Sequence, residues 1–182
     1  MTSGSDGSEA AIEPDTKDWT WVLAEPCPDC AYDAESIRAT DVAAHIRRDA
    51  AGWMTRLAGT SVTARPAPGV WSVLEYGCHV RDVHRIFNHR VQLMLTADEP
   101  QFPNWDQDET ARADDYASQD PATVATELFD AASNLADTYA NVPADAWTRR
   151  GLRSNGSEFT IATISIYHLH DIVHHAYDVR RG

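Results

Sequence analysis

The chain has 182 residues, of which 43% are hydrophobic and 24% charged, the profile of one soluble domain with a core of ordinary size. Its formal net charge of −13 repels phosphate backbones, and the basic residues gather only in pairs such as Arg47-Arg48, Arg149-Arg150 and Arg180-Arg181, which argues against nucleic acid as a partner. No apolar run approaches the roughly 18 residues of a transmembrane helix and the N-terminus is acidic and polar, so neither a membrane nor a secretory route is expected, and the cytoplasm is the default location.

Residues 1–17 are rich in Ser, Gly, Asp and Glu and lack aromatic residues, the composition of a disordered tail. Residues 18–33 form an ordered arm, with Trp19 and Trp21 leading into Glu-Pro-Cys-Pro-Asp-Cys, where two prolines prevent a long helix. A four-helix bundle is expected over 34–182. Asp33 or Ser36 caps a first helix over about 34 to 58, whose apolar positions Ile37, Val42, Ile46, Trp53 and Leu57 recur at helical spacing until Gly59. Ser72 and Glu75 have the spacing of a capping box and open a second helix buried along Tyr76, Val80, Val83, Phe87, Val91 and Met94.

The acidic stretch from Asp98 to Gln119 reads as a long crossover with room for a helical turn. Asp120-Pro121 then supplies an N-cap and a proline at the first position of a third helix, which buries Val124, Leu128, Ala131, Leu135 and Tyr139 to its end near residue 139. Asn155-Gly156 marks a tight turn in a small hairpin or wide loop over 147–159. Thr160 opens a fourth helix that runs nearly to the C-terminus.

This last helix holds four of the eight histidines within Tyr-His-Leu-His-Asp-Ile-Val-His-His, residues 167–175. Imidazole is the commonest protein ligand for transition metals. Residues four apart on a helix lie one above the other, about 5–6 Å between Cβ atoms, so His170 and His174 are the natural chelating pair. His168 and His175, two turns or about 10.5 Å apart, cannot share a small ion. Asp171 with His175, and His174 with Asp178, are rival pairs at the same spacing. With Ile166, Leu169, Val173 and Ala176 as the apolar stripe, His170 and His174 border the core, and His79, beside Val80 and Val83 on the second helix, is the best third ligand. His45, His84, His89, His168 and His175 are read as solvent-facing or locally hydrogen-bonded.

The pattern Trp71-Ser72-x-x-Glu75-x-x-x-His79, together with His170-x-x-x-His174, resembles the DinB-like superfamily over about residues 34–179. The resemblance implies an all-α four-helix bundle holding a divalent metal on His79, His170 and His174: zinc first, with nickel, iron or manganese as alternatives. It also implies a homodimer, and activity as a thiol S-transferase using bacillithiol or mycothiol, or as a mycothiol-dependent isomerase. Only Lys17 of the fifteen basic residues is lysine, a bias that points to a GC-rich bacterial genome and, through an actinobacterial source, to mycothiol as the co-substrate.

The arm departs from the family's simple pattern. Cys27-Pro28-Asp29-Cys30 has the spacing of half a structural zinc site or of a redox dithiol, and a structural role by packing or hydrogen bonding stands ahead of both. Three cysteines, including Cys78, are too few for a disulfide scaffold. Cys78 points about 100° away from its neighbour His79 and is no automatic ligand. Glu75, Asp82 and Asp171 are candidates to orient a ligating imidazole.

Three neutral imidazoles leave an ion with open positions, as in a catalytic site. The expected chemistry is activation of a low-molecular-weight thiol, or of water, toward a small electrophile. A metal-dependent hydrolase and a non-catalytic metal or small-molecule binding protein are the alternatives, and a bundle without metal is the plainest.

Overall fold

The computed structural model describes residue 12 and residues 17–181, with side chains to residue 180. The predicted tail therefore lies, apart from residues 12 and 17, outside the described residues.

Four long helices form a bundle: α1 (Val42–Leu57), α2 (Val73–Thr96), α4 (Pro121–Ala140) and α5 (Ile161–Arg181), with a short α3 (Gln107–Ala113) in the crossover. The α4 helix packs on both α1 and α2, and α5 also packs on both, so that α1 and α2 meet mainly across the diagonal. Trp53, Ile46, Leu74, Met94, Leu128, Leu135, Ile164 and Ile172 are almost wholly buried between the helices. The described residues hold no helix long and apolar enough to cross a membrane.

The helix starts follow the local chemistry. The Ser72 hydroxyl accepts from the Glu75 amide at 3.2 Å while the Glu75 carboxylate accepts from the Ser72 amide at 2.8 Å, the reciprocal capping box that satisfies two otherwise orphaned donors. Glu75 is further held by Arg65. Asp120 accepts from the Thr123 amide at 2.8 Å, and Pro121 occupies the first position of α4.

The first predicted helix is shorter than expected. Residues 34–41 form two single 3-10 turns, Ala34–Ser36 and Ala39–Asp41, separated by extended backbone at Ile37 and Arg38. Asp33 caps the first turn by accepting from the Glu35 amide, and the chain begins α1 only at Val42.

A three-stranded sheet closes one end. Strand β1 (Gln101–Phe102) runs parallel to β2 (Arg150–Arg153), which turns through Asn155-Gly156, with Gly156 at φ 94°, into antiparallel β3 (Glu158–Thr160). A Cβ at Gly151 would stand 2.8 Å from both Met94 and Phe102, so only glycine lets β2 lie against the end of α2.

The N-terminal arm is part of the body. It begins with a 3-10 turn, Trp19–Leu23, and Val22, Cys27 and Tyr32 are buried. The Tyr32 hydroxyl donates to the Ile166 carbonyl of α5 at 2.7 Å, which carries the arm across the last helix.

Candidate functional site

The α5 helix offers ligating side chains on two adjacent faces, because each step along a helix turns the side chain by about 100°. Asp171 and His175 point toward α2, where His79 meets them. Asp171 Oδ1 lies 3.6 Å from His79 Nε2 and 3.5 Å from His175 Nε2, and the His79 and His175 rings are perpendicular with centroids 4.6 Å apart. One donor atom from each of the three falls within 4.8 Å of the others.

This trio fits a metal ion. His79 is fully buried, yet neither of its ring nitrogens has a hydrogen-bond partner, and Asp171 Oδ1 is buried and equally unpartnered. Leaving such groups dry and unmatched costs about 1–3 kcal/mol each, a penalty that a cation between them removes. Two imidazoles and one carboxylate form a donor set for zinc, iron(II) or manganese, and three protein ligands leave positions open.

Burial lowers the pKa of His79 and keeps it neutral. Burial alone would raise the Asp171 carboxyl, but the imidazoles of His79, His175 and His168 outweigh it and hold the group below the usual carboxylate range. Both are thus in the protonation state that binds a cation.

Neighbouring groups fix this geometry. Asp178 Oδ2 pairs with His175 Nδ1 at 3.2 Å, leaving Nε2 directed at Asp171. Trp105 stacks on His79 at 5.3 Å and 9°, and Trp71 lies 5.3 Å away on a tilt. Trp105 is itself held by its indole N–H donating to Thr110 in α3, so the acidic crossover supplies one wall of the site. Of the three candidate orienting carboxylates, Asp171 meets the imidazoles. Glu75 is committed to Arg65 and the helix cap, and Asp82 to Arg81, Arg85 and the Tyr116 hydroxyl.

Asp171 and His175 open onto a cavity of about 590 Å³, also lined by Trp71, Trp105, Arg90 and Arg153, a size suited to a small molecule. Arg90 and Arg153 are nearly buried, at 6% and 9% exposure. Arg90 is sandwiched between the Phe87 and Phe102 rings and donates to the Pro103 carbonyl, with no carboxylate paired to it among the described residues. Burial, reinforced by neighbouring Arg153, lowers its pKa to about 10. It remains charged at neutral pH and is available to an anionic ligand.

The other face of α5 carries His170 and His174 to the arm, where donor atoms of Cys27, Cys30, His170 and His174 also lie within 4.8 Å of one another. The predicted ligands His79, His170 and His174 are therefore divided between two clusters. His170 and His174 are paired as expected, but His79 meets the rival pair Asp171 and His175, one residue further round the helix.

The remaining histidines differ in part from expectation. His84 and His168 are fully buried and bonded to each other at 3.1 Å between α2 and α5, a polar bridge inside the core. His89 is exposed, and His45 pairs with Arg48. Cys78 stays out of both clusters and contacts Gln119 and the Tyr116 carbonyl.

The profile of the DinB superfamily matches residues 42–177. Among solved structures, YfiT from Bacillus subtilis, described as a probable metal-dependent hydrolase with an unusual four-helix bundle topology, superposes with a TM-score of 0.61 at 17% identity over 94% of this chain and 93% of that one. At that identity the likeness establishes the fold. Curated proteins give no significant sequence match.

Proposed function

The chain belongs to the DinB superfamily, and on that footing we propose that it is a metal-dependent enzyme in which His79, Asp171 and His175 hold the ion and a low-molecular-weight thiol, mycothiol or a relative, attacks a small anionic electrophile in the adjoining cavity. The observation that carries the reading is the convergence of donor atoms of His79, Asp171 and His175, with both His79 ring nitrogens and Asp171 Oδ1 buried without a hydrogen-bond partner, beside a cavity of about 590 Å³. A divalent ion with open positions supplies Lewis acidity, lowering the pKa of water to about 7 or holding a thiol, of free pKa about 8.5, as thiolate.

The protein's own groups do the rest. Trp71 and Trp105 keep water from His79, Asp178 fixes the tautomer of His175, and Arg90 and Arg153 offer guanidinium donors to a carboxylate or similar group on the substrate. The cavity is large enough for both a thiol and its acceptor. Zinc is the proposed native metal.

Metal-dependent hydrolysis, with water as the nucleophile, is the second reading and is favoured by what is said of YfiT. Thiol consumption with monochlorobimane, measured for the wild type and His175→Ala, tests the proposal. Turnover that needs thiol and falls at least tenfold in the variant is expected. Product formation without thiol would move the assignment to the hydrolase, and equal turnover in both proteins would remove these ligands from the chemistry.

A further inference from the structure

The arm's Cys-Pro-Asp-Cys motif has no part in the His79, Asp171 and His175 cluster, yet it is brought to His170 and His174, the α5 pair that also lines the cavity but lies outside that cluster. Cys27 and Cys30 sit in a turn closed by two hydrogen bonds, the Cys27 amide donating to the Tyr32 carbonyl at 2.8 Å and the Ala31 amide to the Cys27 carbonyl at 2.9 Å. Ala31 adopts φ 58°, a left-handed conformation that costs an L residue about 1 kcal/mol or more and curls the chain so that both thiols reach the same point.

His170 and His174, one helical turn apart, arrive from the opposite side. Cys27 Sγ is 3.6 Å from His174 Nδ1. In a tetrahedron with Zn–S of about 2.3 Å and Zn–N of about 2.0–2.1 Å, a sulfur and a nitrogen stand about 3.5–3.6 Å apart. His170 Nε2 is buried with no hydrogen-bond partner.

We propose that Cys27, Cys30, His170 and His174 form a second metal site, a closed tetrahedral zinc clamp that fastens the N-terminal arm to α5. Two sulfur and two nitrogen donors complete the coordination, so this ion is structural and has no place for substrate. Each thiol releases its proton to solvent as its sulfur takes the metal, and no electron is transferred. A Cys27–Cys30 disulfide would consume the thiols but leave the buried His170 Nε2 without a partner.

The clamp also bears on the cavity. Trp19, a cavity-lining residue, lies against the His170 and His174 rings at 5.5 and 5.0 Å, and Tyr32 meets His170 edge-on at 5.3 Å. The second ion therefore secures one wall of the pocket.

The test is metal content and cobalt(II) spectroscopy on the untagged full chain. Two equivalents of metal are expected in the wild type, with the cobalt form showing the sulfur-to-cobalt charge-transfer and intense ligand-field bands of a tetrahedral thiolate site. The double variant Cys27→Ser/Cys30→Ser should lose one equivalent and those bands, whereas His79→Ala/His175→Ala should lose the other equivalent and keep them. If the cysteine variant fails to fold, alkylation of the native wild type decides the matter, since a chelator should speed modification of Cys27 and Cys30 at least tenfold.

A cobalt-loaded wild type without thiolate bands, chelator-independent alkylation, or a Cys27–Cys30 disulfide in protein isolated under reducing conditions would each overturn the clamp. One equivalent of metal accompanied by thiolate bands would uphold it while refuting the catalytic ion.

Discussion

Asp171 Oδ1 stands almost midway between two imidazoles, 3.6 Å from His79 Nε2 on α2 and 3.5 Å from His175 Nε2 on its own helix. A carboxylate so placed would neutralise part of a bound cation's charge and would join α5 to α2 through it. Replacing Asp171 by Asn retains the shape but removes the charge. We expect metal affinity at this site to fall at least tenfold, while the far-ultraviolet circular dichroism stays that of the wild type. Competition with a chromophoric chelator measures it, and an unchanged dissociation constant would show that Asp171 is not a ligand.

Arg90 is the buried cation of the cavity without an acidic partner among the described residues. A charge-assisted hydrogen bond is worth about 1.5–3 kcal/mol, so Arg90→Gln should lower kcat/KM for an anionic electrophile by about 10–100-fold and change it little for a neutral analogue. The ratio between the two substrates is the measurement. Equal losses on both would assign Arg90 to packing between Phe87 and Phe102 alone.

Ser72 starts the helix that carries His79. Its replacement by Ala removes the acceptor for the Glu75 amide and should cost about 1 kcal/mol of stability, read as a lower urea midpoint at unchanged slope. Thermal or chemical stability equal to the wild type would mean that Arg65 and Glu75 hold the helix start unaided.

Asp49 on α1 is a carboxyl whose burial raises its pKa to about 6 despite the nearby charges of Arg56 and Arg180, and its Oδ2 has no hydrogen-bond partner. The folded state binds this proton more tightly than the unfolded chain. The stability it confers is full below about pH 4 and is lost as the pH rises through about 6. Asp49→Asn should therefore stabilise the protein by about 1–2 kcal/mol at pH 8, after solvent screening, and by little at pH 4. Melting curves at the two pH values decide it, and a benefit equal at both would show that charge is not the cause.

The helix ends were legible because their signals are local. Ser72 with Glu75, Asp120 with Pro121, and Asn155 with Gly156 each satisfy or redirect their own backbone within a few residues, and the structure uses all three. Residues 34–41 kept a helical spacing of apolar positions, yet they have to carry the chain from the arm to α1, and the extended backbone at Ile37 and Arg38 does so.

The face of α5 was harder to read. Its buried line runs through Ile164, His168, Leu169, Ile172 and Ala176, and a histidine within it made the true core face look polar. A stripe through Val173 turns 170/174 toward His79, whereas the structure buries Ile172 and sets 171/175 opposite it. The partnership of the arm with His170 and His174 spans some 140 positions, and no local pattern encodes a meeting at that separation. The Cys-x-x-Cys spacing showed only half of the cluster.

Because consecutive residues of α5 serve different neighbours, His170 and His174 the arm and Asp171 and His175 the second helix, this segment cannot slip by one position or roll about its axis without spoiling both attachments together. An insertion or deletion of a single amino acid between Ile161 and His170 would have to be absorbed before His170. Length in this stretch should accordingly be far less free to drift than side-chain identity.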